Sequence, residues 1–181
     1  MARGDWDPGQ YQRFAVERAQ PFWDLTALVE TDPPIERAVD LGCGAGDLTA
    51  QFAAQAGITE MTGVDSSPAM LERAVEHERE GVRFESGDIG TWEESAGFDL
   101  VFANASLHWV PDHPAVLARW ASSLRPGGQL AVQVPCNSDH PSHLAAVGVA
   151  TTEPFSSAMG GAPPPDPTAV NVLVPERYAT V

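Results

Sequence analysis

From residue 38 onward, short runs of apolar residues alternate with stretches in which apolar residues recur every three or four positions. Ala38-Val39-Asp40-Leu41 reads as a strand, and Leu48, Phe52 and Ala56 behind it repeat with helical period. The segment 61–65 is a second strand, after which Ser67-Pro68 supplies the N-cap and first-turn proline of a helix carrying Met70, Leu71, Ala74 and Val75. Residues 82–85 form a third strand. The run 98–103, apolar except for Asp99, has the unbroken pattern of a strand buried on both faces of a sheet. Val116, Leu117, Trp120 and Leu124 make a helical stripe that Pro126-Gly127-Gly128 ends, and 129–134 is a fifth strand. This alternation over short loops predicts an α/β fold with a doubly wound, mainly parallel sheet and right-handed crossovers.

Ahead of the alternation, Asp7-Pro8 offers an N-cap and first-turn proline, and Tyr11, Phe14 and Arg18 follow at helical spacing. Pro21 is placed to open a second helix through Leu25 and Leu28. Trp6, Tyr11 and Phe14 fit either a lid over a ligand or an amphipathic cover for the sheet. Beyond Pro135 the pattern loosens into one helix over 143–149, a Gly- and Pro-rich stretch over 160–167 and the first turns of a helix from Pro175. The chain therefore reads as a single domain with a helical cap (1–34), a βα core (35–135) and a loop-rich segment (136–181).

A length of 181 residues with 43% apolar content supports one core. The formal charge is -15, and all ten basic residues are arginine. Without lysine, a Walker-type phosphate loop, a kinase strand lysine, a pyridoxal Schiff base and a Ser-Lys hydrolase are excluded. The acidic balance argues against nucleic acid and anionic membranes as partners. Cys43 and Cys136 do not make a disulfide framework, and no stretch of 18 apolar residues occurs, so a soluble, cytoplasmic protein is expected. Cys136, Asp139, His140 and His143 superficially resemble metal ligands, but Pro141 separates the histidines and no CxxC pair exists, so no metal is expected. No G-x-S-x-G elbow supports a hydrolase.

In open α/β sheets a ligand sits beyond the carboxyl ends of the strands, here at Asp40 to Gly46, Asp65-Ser66, Asp88-Ile89 and Asn104 to Trp109. The glycines of Gly42-Cys43-Gly44-Ala45-Gly46 allow close approach, and Asp65, 19 residues after Gly46, suits two ribose hydroxyls. A dinucleotide loop wants its third glycine at position 47, where this chain has Asp. An aspartate at a helix start repels a pyrophosphate but tolerates the ammonium and sulfonium of S-adenosylmethionine (SAM). The residues favour SAM, with a nicotinamide cofactor as a distant alternative.

Val39 to Gly46, Gly63-Val64-Asp65-Ser66-Ser67, Gly87-Asp88-Ile89 and Leu124-Arg125-Pro126-Gly127-Gly128 together resemble the class I SAM-dependent methyltransferases. Trp6-Asp7 with Tyr11, Phe14 and Arg18, the segment 103–113, Val132-Gln133-Val134-Pro135 and Pro141-Ser142-His143 resemble, more narrowly, the trans-aconitate 2-methyltransferase family. The resemblance covers about residues 5 to 150 and returns at 175–178. It implies a Rossmann-like, three-layer αβα methyltransferase domain. Relatives continue with two further strands and helices, so it also implies a sheet lacking its last strands, in a fragment or a shortened protein, with 136–181 on the acceptor side.

On the same resemblance, Asp40, Gly42, Cys43, Gly44 and Gly46 line the methionine part of SAM, Asp65 holds the ribose, Ser66 and Met70 flank the adenine, and Asp88 and Ile89 meet its edge. Asn104, Leu107, His108 and Trp109 face the sulfonium, with Asn104, His108 and Trp109 as candidate catalytic residues. Tyr11, Arg13, Arg18 and Trp109 are candidates for binding the acceptor, where arginine would meet an anionic acid such as trans-aconitate. His108 reads either as a general base or as a structural donor; relatives often carry Gln there. The implied activity is O-methyl transfer to a carboxylate of a small organic acid. The alternatives are another acceptor, such as a malonyl thioester or a small secondary metabolite, and a noncatalytic SAM-binding module.

Overall fold

A computed structural model of the chain describes residues 15–95, 97–161 and 167–180. Five strands, β1 (Arg37–Leu41), β2 (Glu60–Asp65), β3 (Val82–Ser86), β4 (Phe98–Asn104) and β5 (Leu124–Gln133), form one sheet in the order β3-β2-β1-β4-β5. Every neighbouring pair is parallel. The strands the pattern predicts are all present. The order reverses between β1 and β4, where Val39 pairs with Thr62 on one side and Val101 on the other.

Alternation of side chains divides the core between the two faces. On one, α1 (Ala15–Thr26) and α2 (Asp47–Ala56) bring Phe22 and Phe52 onto Phe102, with ring centroids 5.0 and 5.4 Å from it. On the other, α4 (His113–Ser122) lays Val116 and Trp120 over Val39, Leu41, Val101 and Ala103. α3 (Pro68–Ala74) joins β2 to β3. This is the expected doubly wound αβα architecture.

Two local expectations are corrected. Pro21 does not open a new helix but lies inside α1, because Phe22 and Leu25 are buried in the core and hold the helix through the missing backbone donor. Pro126-Gly127-Gly128 does not terminate the preceding helix, which already ends at Ser122; it lies within β5, where the pairing shifts register between Phe98 and Leu100. Gln129 ties this strand to the cap: its amide donates to the Glu30 carbonyl at 2.7 Å and its oxygen accepts from Glu30 N–H at 2.8 Å.

After β5 come α5 (Pro141–Ala150), α6 (Phe155–Ala158), α7 (Pro167–Asn171) and α8 (Pro175–Tyr178). Among the described residues, β5 pairs with β4 alone, so its other edge is open. No helix among them is long and apolar enough to cross a membrane.

Candidate functional site

At the switch point, β1 and β4 are fastened together just past their carboxyl ends. Ser106 Oγ donates to the Leu41 carbonyl at 2.6 Å, and on the other side of β1 Gly42 and Cys43 N–H donate to the Val64 carbonyl of β2 at 2.7 and 3.1 Å. The glycines here serve different ends. A Cβ on Gly42 would stand 2.3 Å from Ser106 Cβ, and one on Gly46 would stand 2.6 Å from the Phe84 ring, so both are glycine because protein fills the space. A Cβ on Gly44 would meet nothing within 4 Å among the described residues. Gly44 is the position where backbone faces open space, as a bound molecule requires.

Two carboxylates flank that opening. Asp65 Oδ2 accepts from Gly44 N–H at 2.9 Å and Oδ1 from Ser67 N–H at 2.8 Å, which leaves each oxygen a lone pair for a ligand hydroxyl. Asp40 is buried, with the Thr49 hydroxyl donating to its Oδ2 at 2.5 Å. Burial pushes the Asp40 carboxyl up to about 7; the Thr49 hydrogen bond opposes this and the negative charge of Asp65 adds to it. The Cys43 thiol is likewise pushed up, by burial first and then by Asp40 and Asp65, so it is no activated nucleophile.

Met70 is buried on α3, Ser66 is exposed after β2, and Asp88 Oδ1 accepts from Gly90 N–H at 2.9 Å. The 88–90 turn is held from α4, since Trp120 Nε1 donates to the Ile89 carbonyl at 3.1 Å and Arg119 to the Gly90 carbonyl at 2.6 Å. Beyond β4, Leu107 is wholly inside the core. His108 is 7% exposed and Trp109 43% exposed, their ring centroids 4.7 Å apart. Asn104 Oδ1 and, on the paired residue of β5, Gln133 Oε1 are buried and have no hydrogen-bond partner among the described residues. Two buried acceptors awaiting donors at the strand ends fit a ligand bearing an ammonium or hydroxyl groups. SAM has both, and the residues present fit it.

A family described as a methyltransferase domain matches residues 38–128, from β1 through the bulge of β5. The chain belongs to the methyltransferase domain family. It is 47% identical over 156 residues to a trans-aconitate 2-methyltransferase of Deinococcus radiodurans, a match covering 86% of this chain and 58% of that relative. It is 43% identical to the trans-aconitate 2-methyltransferase of Methylobacterium radiotolerans, covering 86% and 59%. The chain thus spans less than two thirds of the length of these curated relatives. Among solved structures, a SAM-dependent methyltransferase from Mesorhizobium loti aligns with a TM-score of 0.58 at 28% identity, covering 67% of this chain and 55% of that one. A SAM-bound amino pentose methyltransferase from Micromonospora echinaspora aligns at 0.55 and 26% identity, covering 70% and 55%. The expected class I methyltransferase fold, and SAM as the cofactor that fold serves, are borne out.

The methyltransferase domain brings Asp40, Gly42, Cys43, Gly44, Gly46 and Asp65 into one cluster at the ends of β1 and β2, with Asn104 across the switch point. Trp6, Tyr11, Arg13 and Phe14 lie outside the described residues, as does the side chain of Arg18. His140 caps α5, its Nδ1 accepting from Ser142, and no group of three or more metal-ligating side chains forms among the described residues. Gln133, which the sequence marks only as part of a family motif, also stands at a strand end and belongs to this cluster. Arg119 and Trp120 support the 88–90 turn through partners 29 and 31 residues away, which leave no local signal in the sequence.

Proposed function

We propose that this chain binds SAM at the carboxyl ends of β1, β2 and β4 and transfers its methyl group to a carboxylate of a small organic acid such as trans-aconitate. The observation that carries the cofactor reading is the open face of Gly44 between the Asp65 carboxylate and buried Asp40. The acceptor class rests on the name shared by the Deinococcus and Methylobacterium relatives.

Bound SAM would supply an electrophilic methyl on a sulfonium. The chain's own residues then have three tasks. Asp65 offers paired acceptors to ribose hydroxyls while its backbone partners fix its orientation. Asp40, Asn104 and Gln133 present negative or acceptor atoms to cationic and donor groups in a poorly solvated place, where electrostatic attraction is strong. His108 and Trp109 form an aromatic wall past β4 that keeps water away from the transferring group. No general base is needed, because a carboxylate with a pKa near 4 is already ionised at neutral pH. Orientation is what the chain contributes. Arg13 and Arg18 remain the proposed partners of acceptor carboxylates.

Calorimetric titration with SAM, with Asp65→Ala as control, tests the cofactor site, and transfer of labelled methyl to trans-aconitate tests the acceptor. Micromolar binding lost in the variant is expected; no binding by the folded chain overturns the reading. His108→Ala retains substantial turnover on a carboxylate acceptor, and complete loss would sink the base-free mechanism. A second reading, a SAM-binding module without turnover, draws on the outer edge of β5, which is unpaired among the described residues. SAM binding without transfer to any of a panel of acids would favour it.

A further inference from the structure

Between β4 and α4 the chain runs through residues 105–112, which carry His108 and Trp109 in a single 3-10 turn (Leu107–Trp109). The non-glycine residues with left-handed backbone among those described are Ala105 (φ 50°) and Asp112 (φ 56°), one at each end of this loop. Neither has a glycine's freedom there, so the surroundings must hold both. From below, Ala105 N–H donates to the Gln133 carbonyl at 2.9 Å, Ser106 is bonded to Leu41, and Leu107 and Val110 are buried.

From above, the loop is held by a segment more than sixty residues further along. Asn171 Nδ2 donates to the His108 carbonyl at 2.9 Å. Tyr178 stacks on His113 with centroids 5.8 Å apart and an interplanar angle of 28°, and its hydroxyl meets His113 Nδ1 at 2.5 Å. His113 Nε2 lies 3.1 Å from the Val110 carbonyl, and Leu173 N–H donates to the Tyr178 hydroxyl at 3.2 Å. The donors and acceptors resolve in one way. The Val110 carbonyl can only accept, so Nε2 carries the hydrogen and Nδ1 accepts from Tyr178. Burial pushes the His113 pKa down, which favours this neutral form.

We infer that residues 171–178 are a latch that sets the position of the 105–112 loop, with Asn171 and Tyr178 as positioning residues for the acceptor-side wall formed by His108 and Trp109. The part concerning the acceptor rests on the methyltransferase reading; the latch itself does not. Its consequence is selective, because Asp40, Gly44 and Asp65 have no hydrogen bond to the latch, and loosening it acts on the acceptor more than on SAM.

Asn171→Ala and Tyr178→Phe in the full chain test this, the second keeping the ring and removing only the hydroxyl. Amide hydrogen exchange followed by mass spectrometry should speed up in 106–112 by about three- to tenfold, the effect of losing one hydrogen bond, with β1 and β2 unchanged. Nitrogen-15 spectra should place the proton of wild-type His113 on Nε2. With trans-aconitate as acceptor, its KM rises by a similar factor while the KM for SAM stays within about twofold. Unchanged exchange in 106–112, or equal acceleration throughout the sheet, overturns the latch even if the chain never binds SAM. Unchanged acceptor KM in a loosened variant overturns its positioning role, while failure of the wild type to bind SAM counts against the functional reading alone.

Discussion

Asp40 is a carboxyl whose ionisation the folded chain resists. Its pKa is 3.8 without perturbation and about 7 in the fold, so between those values the folded state keeps a proton that the unfolded state has lost. The penalty for ionising Asp40 in the fold is absent below about pH 4, grows as pH rises toward 7 and levels off above that at roughly 4 kcal/mol. Asp40→Asn should therefore resist urea better than the wild type at pH 8 and match it near pH 4; equal stability at both pH values would contradict the assignment. A bound cation favours the ionised form, so SAM affinity should rise up to about tenfold from pH 6 to pH 8, and calorimetry should find that dependence flattened in Asp40→Asn. The glycines separate in the same residue-by-residue way. Gly42→Ala drives a methyl into Ser106 at φ 88° and should lower stability by about 2 kcal/mol or more. Gly44→Ala should cost roughly 1 kcal/mol for its left-handed backbone, and its larger effect should fall on SAM binding, since its methyl points into open space.

At the scale of elements, α4 is a support for the site as well as a cover for the sheet. Arg119 and Trp120 reach carbonyls of residues 89 and 90 on the turn expected to meet the adenine edge. Arg119→Ala should weaken SAM binding about three- to tenfold with little change in unfolding midpoint, and unchanged affinity would detach α4 from the site. The five strands were legible because strands buried on both faces need unbroken apolar runs, and 98–103 is one. The cluster at Asp40 to Gly46 and Asp65 was legible because the strand-end rule places ligands by topology. What stayed hidden depends on partners far along the chain. Nothing near Pro21 announces that Phe52 and Phe102 will hold the helix through it. Nothing near Gly42 or Gly46 announces Ser106 and Phe84, and Asn171 carries no local mark of the His108 carbonyl.

For the molecule as a whole, the described side chains that are fully buried all lie between Phe22 and Ser123. Leu144, Val147 and Val149 on α5 are exposed despite their apolar character. Phe102→Ala, in contact with the rings of Phe22 and Phe52, should cost about 3–5 kcal/mol, whereas Val147→Ser should stay within about 0.5 kcal/mol by chemical denaturation. A large loss in the second would mean that α5 is packed against something in solution. The order β3-β2-β1-β4-β5 also sets a timetable. β1 receives β2 on one side early, but its other neighbour, β4, follows it by roughly sixty residues. A ribosome adding about 5–20 residues per second leaves that flank of β1 unmatched for several seconds of synthesis. The crevice between β1 and β4 is therefore closed late, and Asn104 at the end of β4 joins Asp40, Gly44 and Asp65 only after the β1 and β2 side of the site has been made.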